Sequence, residues 1–161
     1  MAFDVRHKTF IAVLNIFHPP TRILAGMLDS SCGEDFDRWN RVKKGLENTP
    51  ESLLTFPQEG EVWMCSFGKN IGREQNGSRG DFSRPGLVVK RFSSEMFWVV
   101  PLSTKQKPLD FYFNYTDPND IPVAAVLAQL RLISIKRFDR KLYDMPYLNF
   151  RRLIACIKSL F

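Results

Sequence analysis

Short apolar runs separated by polar residues, prolines and glycines dominate the chain from Glu61 onward. Five of these runs are rich in β-branched and aromatic residues and are predicted to be strands, at residues 61–67, 86–92, 95–102, 109–115 and 125–135. Only two serines separate the second run from the third, which predicts a hairpin. Because no helical pattern lies between the runs, we expect an antiparallel, strongly curved sheet or a small barrel.

The fifth run can be divided into two faces by the twofold period of a strand. One face is wholly apolar and is expected to lie in the core, with Val126, Ala128, Leu130 and Leu132. The other face places an amide beside a guanidinium, with Leu127, Gln129, Arg131 and Ile133. This second face is either exposed to solvent or part of a groove wall.

Helical periodicity flanks the strands on both sides. Apolar residues recur at spacings of three and four over residues 34–46, as Phe36, Trp39, Val42 and Leu46. After the strands we expect a short helical turn near residues 136–141 and a longer helix from about Tyr147. The predicted organisation is a poorly ordered extension over residues 1–33, a leading helix and linker over residues 34–58, and a main domain over residues 59–161.

The extension contains an apolar stretch, residues 9–17, that is too short to span a bilayer. A signal peptide is the alternative, although no clean small-residue cleavage site follows the stretch. The three cysteines lack a C-x-x-C spacing, so we expect neither a disulfide framework nor a zinc site, and we expect the chain to be cytosolic. Cys65 and Cys156 lie in apolar runs and are expected to pack as small hydrophobic residues. His7 and His18 have no plausible metal partner in sequence, so any catalysis is expected to proceed without histidine.

Charge is distributed unevenly along the 161 residues, although 44% hydrophobic and 25% charged residues are ordinary for one domain. The net charge is +6, and residues 131–161 account for all of it with eight basic and two acidic residues. The remaining 130 residues contain 15 basic and 15 acidic residues, which cancel. This bias indicates a polyanion or an acidic protein as a partner, or both. A solvated basic face is the alternative, and charge alone slightly favours it.

Several segments together resemble the MazF/PemK toxin family over nearly all of residues 59–161. The stretch GEVWMCSFGKNIGREQNGSRGDFSRPGLVVKRF is similar to the family's first strand, glycine-rich EQ-G loop and Arg-Pro second strand. FWVVPLSTK resembles its third strand with a hydroxyl pair, and AVLAQLRLISIKRF resembles its Q-x-R strand and the short helix that follows. The loop has the longer form, with SRGDFS between EQNG and RP. Each piece alone is weak, whereas their order and spacing together are specific.

The resemblance implies an α+β fold, an SH3-like small antiparallel β-barrel with a short helix and a C-terminal helix, acting as a homodimer. It implies the toxin of a type II toxin–antitoxin pair. Such a toxin is a sequence-selective endoribonuclease that cuts single-stranded RNA without a metal or another cofactor and is blocked by a cognate antitoxin protein. The leading helix falls outside the commonest core of the family.

Metal-free RNA cleavage uses the 2′-hydroxyl as nucleophile on the adjacent phosphate and needs positive charge on the phosphorane. A guanidinium binds phosphate with two N–H groups and keeps its charge, so Arg84 is the first candidate. Its backbone is restricted by Pro85, and the resemblance implies the same position for the catalytic arginine. Ser103 and Thr104 are the candidate hydroxyls. The family usually has threonine at the first of these positions, and serine is less restricted at χ1, which puts the rate in doubt.

The candidate RNA-binding residues lie in the loop and on the fifth run. The side chain of Gln75 could donate to phosphate or read a base edge, and that of Glu74 could orient Arg84 or a backbone amide. Purely structural roles in holding the loop are about as well supported for Glu74. Loop charges and the polar strand face complete the set, with Arg73, Arg79, Gln129 and Arg131, of which the last two line either the groove or the dimer interface.

Two alternative functions remain open from the sequence. Toxins of the CcdB type share the barrel but bind a DNA topoisomerase without cleaving RNA, and fold alone does not separate the two classes. An inactive SH3-like binding module is the third hypothesis, and the serine at position 103 leaves room for it. The Arg-Pro loop and the hydroxyl pair favour the nuclease.

Overall fold

The computed structural model describes residues 30–50, 56–78 and 80–161, and for residues 30–32 it describes the backbone alone. Two helices lie within these residues, α1 (Ser30–Glu47) and α2 (Tyr147–Lys158). The strands there are β1 (Glu61–Ser66), β2 (Ser83–Arg91), β3 (Met96–Ser103), β4 (Tyr112–Thr116), β5 (Pro122–Val126), β6 (Arg131–Ser134) and β7 (Phe138–Asp144). Residues Asp35–Phe161 form one compact unit.

All seven strands join one antiparallel sheet of the predicted kind. The strand order is β4-β5-β3-β2-β1-β7, and β6 also pairs with β3. The predicted hairpin is confirmed, because β2 and β3 pair with Gly86 opposite Pro101 and Phe92 N–H donates to the carbonyl of Met96 at 3.0 Å. The edge strands β4 and β7 meet through the hydroxyl groups of Tyr115 and Tyr143, which are hydrogen-bonded at 2.9 Å. The sheet therefore curves into a barrel whose last gap is bridged by side chains.

Both faces of the central strands are buried, which explains their nearly continuous apolar sequences. One face packs against α2, where Leu153 is fully buried and Ile157 nearly so. The opposite face forms a second cluster around Phe67, Phe97 and Ile133. Cys65 belongs to this second cluster, and Cys156 packs against the first, as expected for small hydrophobic residues. Burying a side chain such as Leu153 contributes about 1.5–3 kcal/mol relative to leaving it exposed.

The prediction of one strand over residues 125–135 is wrong. The chain ends β5 at Val126, makes a 3-10 turn over Leu127–Gln129 and begins β6 at Arg131. β3 pairs with β5 at its end and with β6 at its beginning, and between Ala125 opposite Leu102 and Arg131 opposite Val99 the chain has more residues than β3 can pair with, so the extra residues form the turn. The twofold period does not continue across this turn. Leu132 is consequently 55% exposed, whereas Ile133 is buried.

The helical turn predicted near residues 136–141 is also wrong beyond its first part. A 3-10 turn spans Ile135–Arg137, and the rest of the segment belongs to β7, which pairs with β1 at the sheet edge. Because β7 is largely exposed, its sequence lacks the alternation that marks a half-buried strand. The two predicted helices are present, with α1 starting at Ser30 rather than at residue 34.

The expectations for residues 1–29 lie outside the described residues, including the poor order predicted for the extension and the interpretation of its apolar stretch. Neither of the helices that the structure describes is long and apolar enough to cross a membrane.

Candidate active site

Two glycines fix the base of the loop that joins β1 to β2. Gly68 has a φ of +90°, and its N–H donates to the carbonyl of Phe82 at 3.0 Å. The N–H of Gly77 donates in turn to the carbonyl of Gly68 at 2.8 Å. A Cβ added at Gly77 would lie 1.7 Å from the carbonyl oxygen of Phe82, so no other residue fits there without moving the backbone. These hydrogen bonds hold Gly77 and Phe82, from the later part of the loop, against Gly68 at its beginning.

An asparagine pair closes the upper part of the loop. The backbone N–H of Asn70 donates to Oδ1 of Asn76 at 2.6 Å, and Nδ2 of Asn70 donates to the carbonyl of Gln75 at 2.8 Å. The sequence analysis missed both residues, although asparagines on either side of the EQ pair are typical of side chains that replace backbone hydrogen bonds in turns. The pair thus holds the carbonyl of Gln75 and ties the side chain of Asn76 to the first part of the loop.

Arg84 lies near the start of β2 and reaches both the loop and the end of β3. Its Nε donates to the carbonyl of Asn76 at 2.7 Å, and its Nη1 donates to the carbonyl of Leu102 at 3.0 Å. The guanidinium is half-buried, and burial lowers the pKa of Arg84 from its ordinary value. Two carbonyls therefore fix a cation whose remaining N–H groups can bind a ligand.

Gln129 and Arg131 hold the same loop from the other side. The backbone N–H of Gln75 donates to Oε1 of Gln129 at 3.0 Å, and Nε2 of Gln129 donates to the carbonyl of Arg73 at 3.2 Å. Nη2 of Arg131 donates to the carbonyl of Gln75 at 3.4 Å, and its guanidinium lies 5.2 Å from the ring centroid of Phe67. Burial lowers the pKa of Arg131, and the charge of Glu74 acts in the opposite direction.

Arg137 is a third half-buried guanidinium that the sequence analysis did not select. Its Nη1 donates to the carbonyl of Ser66 at 2.9 Å, and it lies over the ring of Trp39 at 5.5 Å. Burial and the charge of Arg131 both lower the pKa of Arg137. The basic pair Lys136-Arg137 after the fifth run was the available signal, but the contacts of Arg137 are with Ser66 and Trp39, which are distant in sequence.

These three arginines concentrate positive charge without a bonded counter-ion. Among the residues that the structure describes, ion pairs involve Lys69, Lys90, Lys136, Arg140 and Lys141, and none involves Arg84, Arg131 or Arg137. The basic excess after residue 130 thus separates into paired surface cations, the two site arginines and three exposed cations on α2. A site of this kind favours binding of an anion.

The two candidate hydroxyls lie at the end of β3, where Ser103 is the last residue of the strand and Thr104 follows it. Ser103 is partly exposed, and its Oγ accepts a hydrogen bond from the N–H of Lys105 at 3.1 Å, which leaves the hydroxyl proton free to donate. Thr104 is exposed. Because Arg84 binds the carbonyl of Leu102, the residue before Ser103, the guanidinium and this hydroxyl segment lie at the same end of β3.

Other predicted residues are placed less closely. Glu74 is exposed and makes no hydrogen bond to Arg84, whose partners are carbonyls, so the suggestion that Glu74 orients Arg84 is not supported by the contacts. Arg73 is exposed and contributes its carbonyl to the loop. Arg79 lies outside the described residues. Of the two aromatic residues on β3, Phe97 is in the core and Trp98 is 43% exposed.

Comparison with known proteins gives structural likenesses. No protein-family model matches the sequence, and no curated protein sequence matches it. MazF from Deinococcus radiodurans superposes with a TM-score of 0.55 at 18% identity, covering 66% of this chain and 96% of that chain. An endoribonuclease from mycobacterial species has a TM-score of 0.50 at 12% identity, covering 66% and 92%.

A further solved structure is an endoribonuclease in complex with its cognate antitoxin, also from mycobacterial species. It has a TM-score of 0.50 at 13% identity and covers 64% of this chain and 92% of that chain. At these identities the likeness concerns the fold, and nearly the full length of each structure is matched. The resemblance noted in the sequence is therefore confirmed at the level of architecture: this chain has the SH3-like barrel fold of the MazF toxins.

Proposed function

We propose that this protein is the toxin of a type II toxin–antitoxin pair and a metal-independent, sequence-selective endoribonuclease for single-stranded RNA. It acts as a homodimer in the cytoplasm and is inhibited by a cognate antitoxin protein. The proposal is supported by the fold shared with proteins described as endoribonucleases, one of which is bound to its antitoxin. Because one fold hosts several functions, the argument depends on the site itself.

The observation that carries the proposal is the fixed, half-buried guanidinium of Arg84 beside the hydroxyl segment at the end of β3. A guanidinium has five N–H donors. Two N–H groups of Arg84 bind the carbonyls of Asn76 and Leu102, which leaves three donors on a group that is already oriented. Orienting the donors before the substrate binds is what makes such groups effective toward charge that develops in a transition state.

The reaction follows from the chemistry of RNA. The 2′-oxygen attacks the adjacent phosphorus, the bond from phosphorus to the 5′-oxygen breaks, and the proton lost from the 2′-hydroxyl is balanced by one gained at the 5′-oxygen. The products are a 2′,3′-cyclic phosphate and a 5′-hydroxyl. Arg84 stabilises the negative phosphorane, and the Ser103 hydroxyl donates to a non-bridging oxygen. Arg131 and Arg137 hold neighbouring phosphates of the strand.

The loop supplies the basis for sequence selectivity. Its backbone is held by Asn70, Asn76 and Gln129, whereas the side-chain amide of Gln75 makes no hydrogen bond within the described residues. A free amide on a fixed backbone can read the edge of an unpaired base. Single-stranded RNA is the matching substrate, since its base edges are accessible.

The test is cleavage of a long, end-labelled single-stranded RNA by purified protein in EDTA. Arg84→Ala is compared with Arg152→Ala, which removes the same charge from an exposed position on α2. We expect discrete fragments from the wild type and from Arg152→Ala, a loss of at least about 100-fold for Arg84→Ala, and no cut where the 2′-hydroxyl is replaced by hydrogen.

Two results would overturn the assignment. Cleavage by Arg84→Ala at the wild-type rate would remove Arg84 from the mechanism. Intact RNA with folded wild-type protein free of antitoxin would instead favour a binding toxin of the CcdB type, for which inhibition of a DNA topoisomerase is the next assay, or an inactive binding module.

A further inference from the structure

Helix α1 packs directly on the base of the loop that carries the site. Trp39 is 5% exposed, although its helix precedes the sheet in sequence and the linker after it separates it from β1. Its indole lies against Gly68, where an added Cβ would lie 2.3 Å from the ring. The same indole lies 5.5 Å from the ring of Phe82, measured between centroids.

Gly68 and Phe82 are the two ends of the loop. They are joined by the hydrogen bond from Gly68 N–H to the carbonyl of Phe82, and Gly77 binds back to Gly68. A single buried side chain from α1 thus contacts both ends at the point where they meet. Removing it would leave the two ends held by backbone hydrogen bonds that become open to water.

Two further residues of α1 hold the same loop. Asp35 forms an ion pair with Lys69 at 3.2 Å, directly after Gly68. Arg38 donates to the carbonyl of Gly80 and lies 4.8 Å from the centroid of the Phe82 ring. The contacts of α1 therefore reach residues near both ends of the loop, and they do not depend on Trp39 alone.

Trp39 also contacts Arg137, one of the three half-buried arginines described above. The guanidinium of Arg137 lies 5.5 Å from the centroid of the indole while it donates to the carbonyl of Ser66. A tryptophan face attracts a cation, and the attraction is larger for partly desolvated groups. The indole therefore contacts the base of the loop whose Asn76 carbonyl binds Arg84. It also contacts Arg137 and helps to position its guanidinium.

We propose that Trp39 is a positioning residue for RNA cleavage and that α1 is a built-in brace of the active-site loop. The proposal rests on the proposed function. Trp39 does not touch the substrate; it acts through Gly68, Phe82 and Arg137. Loss of the indole lets the loop base open, and Arg84 then loses the fixed carbonyl of Asn76 that orients it.

The experiment compares Trp39→Ala, Trp39→Phe and Leu153→Ala in full-length protein. Leu153 lies on the sheet-facing side of α2 and is fully buried in the first core cluster, which contains no residue of the loop, so Leu153→Ala is a control for lost stability. Two readouts are taken below the unfolding temperature: single-turnover cleavage of RNA in EDTA, and hydrogen exchange at the amides of Gly68 and Gly77. Arg38→Ala, at an exposed position, serves as a second variant that leaves the core intact.

We expect Trp39→Ala to lower the maximal single-turnover cleavage rate at least tenfold, with the protein concentration that gives half of this rate changed less than threefold, and to speed exchange at both amides at least tenfold. Trp39→Phe should recover most of both, and Arg38→Ala should show smaller changes in the same directions. Leu153→Ala should lower the unfolding temperature with both readouts near those of the wild type.

Unchanged exchange at Gly68 and Gly77 in folded Trp39→Ala would overturn the proposal that α1 braces the loop. Faster cleavage by this variant would also overturn it, because it would mean that α1 covers the site. If the wild type does not cut RNA, the proposed function fails separately, because the exchange comparison still tests the brace without any substrate.

Discussion

Replacing Gln129 by leucine tests whether its side chain holds the loop or reads a base of the RNA. The amide of Gln129 accepts from the N–H of Gln75 and donates to the carbonyl of Arg73, so both of its polar atoms are engaged by loop backbone. Leucine has a similar size and removes both hydrogen bonds. We expect Gln129→Leu to slow cleavage at every site in an RNA by the same factor.

The size of the effect follows from the two hydrogen bonds. A neutral hydrogen bond contributes about 1 kcal/mol net, so losing both weakens the closed loop by about 2 kcal/mol. If only the closed loop is active, this corresponds to a rate loss of up to about 30-fold. The loss is smaller where the remaining bonds from Asn70 still keep the loop mostly closed.

The assay is sequencing of the ends produced from a pool of RNAs, with Gln75→Leu as the matched variant. The amide of Gln75 is free within the described residues, so its loss should change which sites are cut, with a smaller effect on the loop. A changed cut motif with Gln129→Leu, or an unchanged rate, would refute the assignment of Gln129 to loop holding.

Three further substitutions test other parts of the structure. Gly77→Ala should abolish cleavage and lower the free energy of unfolding by at least about 3 kcal/mol, since the added methyl meets the Phe82 carbonyl; chemical denaturation measures this. Ser103→Ala should slow cleavage by about 100-fold, and Ser103→Thr should retain it, in the same RNA assay. Burial acts to raise the pKa of Glu61, but hydrogen bonds from Lys141, the N–H of Gln58 and Trp63 outweigh it and lower the pKa from its ordinary value. The stabilisation is therefore present above this value and lost as the pH falls, and unfolding of Glu61→Gln should depend less on pH in that range than unfolding of the wild type.

Local pattern predicted most of the sheet, because the central strands are largely apolar and polar segments separate them. The prediction failed where one strand, β3, pairs with both β5 and β6. Residues 125–135 were predicted as one continuous strand, but β3 pairs at its end with β5 and at its beginning with β6, and no property of the segment itself reveals that break. The exposed edge strand β7 failed for a related reason, since few of its side chains are buried.

The candidate site was predictable where a residue's place depends on its neighbours in sequence. Arg84 follows from the Arg-Pro pair at the start of a strand, and the loop residues follow from the resemblance. Arg137 and Trp39 could not be found in this way, because their contacts cross 71 residues to Ser66 in one case and join α1 to the loop in the other. Gln129 was expected to line the groove or the dimer interface, and its hydrogen bonds go to the backbone of the loop.

The three guanidinium groups that have no ion-pair partner among the described residues also affect how long the free protein persists. Burying charge that is not neutralised costs free energy, and a bound anion offsets that cost. A polyanion that binds only the folded state raises the free energy of unfolding by about 2.7 kcal/mol when its concentration is 100 times its dissociation constant. Proteases that act on transiently unfolded chains would then spare the occupied molecules. Protein molecules with a bound polyanion would then persist longer in the cell than molecules without one, which would be degraded first.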